Sequence, residues 1–157
     1  MGQILPFLWY DGQAEEAARF YASVFPDSRI IEVTRYGEAG PGAPGSVMTV
    51  EFELRGQRFV ALNGGPEFRF NEAVSFQVLC DSQEEVDRYW AALCAGGEEG
   101  PCGWLKDRYG LSWQVTPRRL LELLTDEDRP KSQRVMRAMM GMRCIDIAGL
   151  EEAARAA

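Results

Sequence analysis

The chain carries one short pattern twice, at positions about 70 residues apart, and this internal repeat restricts the folds that the sequence can adopt. In each copy an Asp and a Gln precede paired glutamates, and an Arg with two aromatic residues follows them. The copies are YDGQAEEAARFY, from Tyr10 to Tyr21, and CDSQEEVDRYW, from Cys80 to Trp90. Self-similarity of this kind indicates one supersecondary unit written twice. We therefore expect two modules of the same architecture.

Both copies have the residues of a helix start. Asp81 is a suitable N-cap, and Glu84 three residues later completes a capping box, because its side chain can reach back to the backbone. Asp11 caps the first helix more loosely, since Ala14 occupies the position that corresponds to Glu84. The paired glutamates of each first turn complement the helix dipole and have no catalytic meaning.

Runs rich in apolar and β-branched residues predict the strands around each helix. One such run precedes each copy, in ILPFLWY and in AVSFQVLC. The strands predicted after the helices are Ser28–Tyr36, Val47–Leu54 and Gln57–Leu62 in the first half, and Gly103–Lys106 and Leu111–Thr116 in the second half. The order strand, helix, three strands therefore occurs twice. This order places the chain in the α+β class, with two tandem βαβββ modules.

After Pro117 the pattern becomes helical. Two apolar stripes with helical spacing predict buried helix faces there. The stripes are Leu120, Leu121, Leu123 and Leu124, and Val135, Met136, Met139 and Met140. We interpret the methionines as core or dimer packing, with an adaptable partner groove as the alternative. The expected organisation is a single domain over 1–157, with a first module at 1–66, a second at 67–117 and C-terminal helices at 118–157.

The charge balance excludes two classes of partner. The chain has 24 acidic and 17 basic residues and a net charge of −7, whereas contacts to phosphate need clustered Lys and Arg. We therefore expect no binding to nucleic acids or to anionic membrane surfaces. The apolar run near the start is too short to span a bilayer and follows no basic segment, so we expect a cytoplasmic protein.

The absence of histidine narrows the possible chemistry. No His occurs among the 157 residues, which removes imidazole metal sites, triads that depend on imidazole and the commonest general base. The four cysteines form no CxxC pair, and we interpret them as reduced thiols. A nucleophilic role for Cys102, in GPCGW, is the alternative to plain packing, which we favour because a cysteine between small residues is usually packing.

Four blocks of the sequence, taken in order, resemble one known family. They are PFLWYDGQAEEAARFY, LNGGPEFRFNEAVSFQVLCD, VDRYW and CGWLKDRYGLSWQVTP, and they extend through Pro117. The blocks are similar to the PhnB-like family, often labelled 3-demethylubiquinone-9 3-methyltransferase. That family is a branch of the vicinal oxygen chelate superfamily, with glyoxalase I, bleomycin-resistance proteins and extradiol dioxygenases. The resemblance implies sheets that curl around a cavity, helices on the outer faces, and a homodimer.

The resemblance also implies which side chains face that cavity. In the last strand the alternation sends one set of residues under a helix and the other set into the cavity. The cavity-facing residues are then Ser112, Gln114 and Thr116, together with Leu5, Phe7, Trp9, Ser75, Gln77 and Leu79 from the other two strands. The outward-facing residues are Leu111, Trp113 and Val115, together with Val74, Phe76 and Val78.

Metal-dependent members of the superfamily hold a metal with residues from both modules. The resemblance places these ligand positions at Gln114 and Val60, each four residues after a hairpin glycine, at about Ser75, and at Leu5 or Pro6. Divalent transition metals and zinc take imidazole, carboxylate or thiolate ligands, which none of these residues supplies. We therefore expect no metal and no other cofactor. On the same ground we do not expect metal-dependent glyoxalase, dioxygenase or thiol-transferase activity.

Aromatic walls with a few amides are typical of a pocket for a planar or partly apolar small molecule. The candidate ligand-binding residues are Phe7, Trp9, Asn63, Phe68, Phe70, Ser75, Gln77, Trp104, Ser112 and Gln114. A proton transfer would need a carboxylate instead, and the candidates are Glu51, Glu53 and Glu72. For Glu51 and Glu53 we favour exposure to solvent or pairing with Arg55 and Arg58, since charged residues are mostly exposed.

The sequence thus predicts a metal-free protein that binds a small organic ligand and forms a homodimer. Three alternatives stay open: a carboxylate-dependent enzyme on the same fold, a methyltransferase as the family label states, and a structural dimer whose own side chains fill the cavity. Methyl transfer has little support from the residues. A methyl donor such as S-adenosylmethionine is usually held by a glycine-rich turn between a strand and a helix, and no such unit occurs in the sequence.

Overall fold

The computed structural model describes residues 2–156, and these divide into two compact units, one ending at Phe70 and one beginning at Asn71. The first unit contains β1 (Phe7–Tyr10), α1 (Ala14–Val24), β2 (Ser28–Arg35), β3 (Val47–Leu54) and β4 (Gln57–Asn63). Its sheet has the order β1-β4-β3-β2. Strand β1 runs parallel to β4, and the other neighbours are antiparallel.

The second unit repeats this arrangement. It contains β5 (Ser75–Cys80), α2 (Gln83–Cys94), β6 (Glu98–Glu99), β7 (Trp104–Lys106) and β8 (Ser112–Pro117), in the order β5-β8-β7-β6. The parallel pair again joins the first strand to the last. The predicted order of strand, helix and three strands is therefore confirmed in both halves. Strand β6 was not located from the sequence, because two adjacent glutamates show no apolar alternation.

Small side chains allow α1 to lie close to its sheet. Ala14, Ala17 and Ala18 are fully buried on this helix. The Tyr21 ring packs beside Phe52, with ring centroids 6.2 Å apart, and Phe52 stacks on Phe59 at 5.4 Å. Because the alanine side chains of the helix are small, the large rings of the sheet fill the space between helix and sheet. The core on this side of the first sheet is therefore aromatic.

Both helix starts differ from the predicted caps. The N-cap of α1 is Gln13, and a distant strand supplies the hydrogen bond: Asn63 Oδ1 accepts from the Ala14 N–H at 2.8 Å. The predicted cap Asp11 was therefore wrong. Helix α2 begins after Ser82, whose Oγ accepts from the Glu85 N–H.

The predicted capping box of α2 is displaced by one residue. Glu85, in place of Glu84, reaches back, and its Oε2 accepts from the Asp81 N–H at 2.7 Å. Ser82 has an extended backbone, with φ −146°, and this geometry makes it the N-cap in place of Asp81.

The C-terminal segment forms a small helical core of its own. It comprises α3 (Arg118–Leu124), α4 (Arg129–Met140) and α5 (Ile147–Arg155), and its buried residues are Leu120, Leu123, Val135, Ile145, Leu150 and Ala154. Two predicted members of the stripes were wrong, since Leu121 is 38% exposed and Met140 is 66% exposed. Leu121 projects about 100° around the helix from Leu120, which is outside the face that α3 buries. Met140 is in the last turn of α4.

A buried carboxylate anchors the hairpin between β7 and β8. Asp107 is 3% exposed. Its Oδ1 accepts from the N–H groups of Tyr109 and Leu111, at 2.8 and 3.1 Å, and its Oδ2 accepts from Trp113 Nε1 at 2.9 Å. The side chain therefore binds the turn and also Trp113 in β8. These bonds set the register of the two strands.

Within residues 2–156 the longest helices have 12 residues, and none has the length and apolarity needed to cross a membrane.

We expect Asp107→Ala to lower the free energy of unfolding by about 3 kcal/mol, because three donors would lose a charged acceptor in a buried position. Urea denaturation followed by far-UV circular dichroism measures the change. Asp11→Ala is the matched control, since Asp11 is exposed, and its effect should stay within about 0.5 kcal/mol. Equal stability of the two variants would contradict the anchoring role.

Candidate functional site

The second sheet has one face under α2 and an opposite face, called the polar face below. Leu105, Trp113 and Val115 are buried on the side of α2, together with the Val86, Tyr89, Trp90 and Leu93 side chains of that helix. The polar face follows from the strand register, which aligns its side chains in two rows across the sheet. One row is Ser75, Ser112, Lys106 and Glu98, and the other is Gln77, Gln114 and Trp104.

Two amides on the polar face are held by neighbouring hydroxyls. Gln114 Nε2 donates to Ser75 Oγ at 2.9 Å, and Gln77 Nε2 donates to Thr116 Oγ1 at 3.2 Å. Each amide has a second N–H and a carbonyl oxygen beyond these bonds. The two glutamines are therefore oriented by the sheet and retain hydrogen-bonding capacity for a ligand.

A cleft of about 530 Å³ opens beside these rows. Trp104 and Pro101 contribute to its apolar wall, and its polar lining comprises Lys106, Ser112, Glu72, Glu98 and Glu99. Lys106 Nζ forms an ion pair with Glu72. A cavity with an apolar wall and a few convergent polar groups is the usual form of a small-molecule site.

The rim of the cleft is fastened to the C-terminal segment. The N–H groups of Cys102 and Gly103 donate to the carbonyls of Met142 and Arg143, at 2.8 and 2.7 Å. Both rim residues have left-handed backbones, with φ 59° and 81°. A Cβ on Gly103 would lie 2.7 Å from the Val115 carbonyl oxygen, so the close approach of rim and sheet requires glycine at this position.

The corresponding face of the first sheet is more apolar. Phe7 and Trp9 lie on the side opposite α1, since Leu8 and Tyr10 are the buried residues of β1. Trp9 Nε1 donates to the Gly65 carbonyl at 2.8 Å, and the Phe68 ring packs edge-on against Trp9 with centroids 4.8 Å apart. Phe7, Trp9 and Phe68 therefore form an aromatic group on this face.

The structure brings half of the ten sequence-predicted ligand-binding residues together on the polar face: Ser75, Gln77, Trp104, Ser112 and Gln114. Asn63 and Phe70 lie elsewhere. The Asn63 amide caps α1 and donates to the Val47 carbonyl, and Phe70 packs edge-on against the core residue Tyr10. These two side chains serve the first unit's own packing.

Sequence reasoning missed Lys106 as a site residue. Its position two residues after Trp104 in β7 was the available signal, because alternate residues of a strand share a face. Glu72 was identified only as a possible base, although it forms the ion pair with Lys106.

The three candidate catalytic carboxylates are all paired with cations. Glu51 pairs with Arg58, Glu53 Oε1 accepts from Arg29 Nε at 3.2 Å, and Glu72 pairs with Lys106. The hydrogen bond from Lys106 lowers the pKa of Glu72 below its usual value. Lowering the pKa makes a carboxylate a weaker proton acceptor, so the geometry of Glu72 does not favour general-base chemistry.

Within each unit, the positions that would hold a metal in the superfamily are adjacent, but the groups at these positions are not suitable ligands for a metal ion. Ser75 and Gln114 are hydrogen-bonded to each other. In the first unit, Val60 N–H donates to the Pro6 carbonyl at 3.0 Å, and neither side chain carries a donor atom. Among residues 2–156 no group of three or more His, Cys, Asp and Glu side chains could hold a metal ion. A hydroxyl and an amide are poor ligands for zinc or a divalent transition metal.

We expect millimolar Mn²⁺, Ni²⁺ or Zn²⁺ to leave the thermal unfolding midpoint unchanged. A metal present at one hundred times its Kd would add about 2.7 kcal/mol to the stability, which is readily measured. Elemental analysis of protein purified without a chelator is the second readout. Stoichiometric metal in that sample would contradict the assignment of these positions as metal-free.

Three of the thiols are poor nucleophiles. Cys80, Cys94 and Cys144 are free cysteines, and burial raises their pKa values to about 12, 11 and 11. Negative charges add to this effect, from Glu85 near Cys80, from Glu99 near Cys94 and from Asp87 near Cys144. The thiolate is the reactive form, so these three side chains are packing residues.

We expect iodoacetamide at about pH 8 to alkylate Cys80, Cys94 and Cys144 at least about 100-fold more slowly than free cysteine. The reaction should accelerate as the pH rises toward the raised pKa values. Peptide mapping by mass spectrometry gives the rate at each position. Alkylation of Cys80 as fast as that of free cysteine would contradict its burial.

Comparison with known proteins gives one family. The family model described as 3-demethylubiquinone-9 3-methyltransferase matches residues 2–116. Helices α3 to α5 lie beyond this match. No curated protein matches the chain.

Solved structures with the same fold come from several bacteria. A PhnB protein from Bacillus cereus is 38% identical, with a TM-score of 0.66, and the match covers 74% of this chain and 99% of that one. Protein PA1353 from Pseudomonas aeruginosa is 21% identical, with a TM-score of 0.62 and coverage of 74% and 98%. The genomically encoded fosfomycin resistance protein FosX from Listeria monocytogenes is 16% identical, with a TM-score of 0.51 and coverage of 74% and 93%.

Proposed function

The chain belongs to the PhnB-like family described as 3-demethylubiquinone-9 3-methyltransferase, with the fold of the vicinal oxygen chelate superfamily, and from this premise we propose that it binds a small organic molecule without a metal. The site is the polar face of the second sheet and the cleft beside it. The ligand lies against Trp104 and is oriented by the side chains of Gln77 and Gln114.

The observation that carries this proposal is the position of the two amides. They lie on adjacent strands, each is held by a hydroxyl, and the row that contains them ends at Trp104 in the wall of the cleft. A preorganised pair of amides beside an aromatic wall orients a ligand at a low entropic cost, because the side chains are already ordered.

Binding fits the site better than catalysis does. Amides cannot transfer protons at neutral pH, and Glu72, the candidate base among the three glutamates that line the cleft, is paired with Lys106. Methyl transfer, which the family description names, has no matching geometry. The strand-to-helix connections are Asp11-Gly12-Gln13 and Asp81-Ser82, and β8 continues directly into α3 at Pro117, whereas a glycine-rich turn is the usual holder of a nucleotide-like methyl donor.

We extend the proposal to a homodimer in the cytoplasm. Ile4, Phe7 and Phe68 are 92%, 60% and 65% exposed, and a second copy of the chain would remove these apolar side chains from water. The four free cysteines suit a reducing compartment.

Light scattering coupled to gel filtration tests the dimer. Phe7→Ser should shift the distribution toward the monomer mass, and Gln57→Ser, on an exposed hairpin, should not.

Native mass spectrometry of the protein purified from cells tests the ligand site directly. We expect a discrete organic mass on the wild-type chain, with at least about ten-fold lower occupancy in the double variant Gln77→Leu with Gln114→Leu. Each lost hydrogen bond contributes about 1 kcal/mol.

The control for this experiment is Gln133→Leu, which makes the same change at an exposed position of α4. Occupancy equal to wild type is expected for this variant. A bare wild-type chain, with the double variant altered only in thermal stability, would indicate instead that the polar face is filled by its own side chains.

A further inference from the structure

We propose that the ligand of the polar face carries a carboxylate, which binds between Lys106 and Ser112 and replaces Glu72 as the partner of the Lys106 ammonium. This inference rests on the function proposed above and names the chemical class of its ligand. The remainder of that ligand is a flat apolar ring system that lies against Trp104 and Pro101.

Ser112 supplies the first argument. The residue is 1% exposed, it lines the cleft, and its Oγ has no hydrogen-bond partner among the described residues. A buried hydroxyl without a partner costs free energy, so such a group indicates a missing acceptor. The hydroxyl is a donor as well as an acceptor, and an anionic oxygen would satisfy it best.

Lys106 supplies the second argument. It is directly opposite Ser112 in the register of β7 and β8. Side chains at such paired positions have Cβ atoms about 5 Å apart and can contact one group together. An ammonium and a hydroxyl on two such neighbouring side chains can offer a carboxylate a charge-assisted hydrogen bond and a second donor.

The ion pair of Lys106 with Glu72 supplies the third argument. Glu72 precedes β5 in an irregular segment, and its side chain is 59% exposed. An exposed carboxylate held by one lysine contributes little to stability, so a ligand carboxylate can replace it at low cost. The ion pair with Glu72 already shows that the Lys106 ammonium binds a carboxylate at this cleft.

Two further glutamates, Glu98 and Glu99, line the cleft. Glu99 accepts from Trp90 Nε1 at 3.1 Å and lies 3.7 Å from Arg143. Glu98 is opposite Lys106 in the register of β6 and β7 and is exposed. Neither glutamate satisfies the Ser112 hydroxyl.

Three probes of the same shape and different charge test the inference. They are 2-naphthoate, 2-naphthylmethanol and 2-naphthylmethylammonium, each titrated against the full chain by isothermal titration calorimetry. We expect 2-naphthoate to bind at least about ten-fold tighter than the other two. A charge-assisted hydrogen bond contributes about 1.5–3 kcal/mol, which corresponds to this ratio or more.

Two variants of the ion pair have opposite expected effects. Lys106→Met should remove the preference for 2-naphthoate. Glu72→Gln should tighten 2-naphthoate by a few-fold and leave 2-naphthylmethanol unchanged, since it removes an internal competitor. A folding defect cannot produce tighter binding, so Glu72→Gln keeps the test valid if Lys106→Met is unstable. The matched controls are Lys131→Met and Asp126→Asn, which alter a similar ion pair of 2.6 Å in the same unit.

The outcomes separate this inference from the proposed function. If the three probes bind equally and Gln114→Leu weakens them all, the carboxylate assignment is overturned while binding at the polar face stands. If 2-naphthylmethylammonium binds most tightly, the acidic residues dominate and the assignment is again overturned. If no probe binds wild type or Glu72→Gln at about 10 mM, the assignment fails, and native mass spectrometry alone then decides the proposed function.

Discussion

The alternation of strand β8 is the constraint on which both the core and the site of the second unit depend. The strand pairs with β5 on one side and with β7 on the other. Trp113 and Val115 point into the core, so Ser112 and Gln114 must point to the polar face. A shift of one residue would exchange the two sets. Asp107 prevents such a shift, because it binds the turn and the Trp113 indole together.

The two units show how a duplicated fold can diverge in chemistry while its topology stays the same. Both sheets join their first and last strands in parallel. At corresponding positions in and beside this pair, the first unit has Leu5 and Val60, while the second has Ser75 and Gln114. The first unit is therefore apolar where the second has a hydroxyl and an amide. The C-terminal helices add a further difference, because Met142 and Arg143 hold the rim of the second unit's cleft.

Much of the architecture was predictable because it depends on short-range patterns. The repeat and the strand alternation located seven of the eight strands and the plan that both halves share. The errors occurred where local signals compete. Ser82 and Asp81 are both good N-caps, and only the backbone conformation of the folded chain selects Ser82. Leu121 and Met140 belong to apolar stripes, yet Leu121 lies outside the face that α3 buries and Met140 is in the last turn of α4.

The sequence by itself determined the fold class, the repeated modules and the absence of histidine, because periodicity and residue chemistry can be read directly. It also indicated that Ser75, Gln77, Ser112 and Gln114 would share one face, since alternation is a local rule. Only the tertiary structure decided which partners those side chains meet. The pairing of Lys106 with Glu72, the unpartnered Ser112 hydroxyl and the use of Asn63 as a helix cap arise from contacts across strands and over long sequence separations. No local pattern encodes such contacts, because they depend on the register and packing of the whole unit.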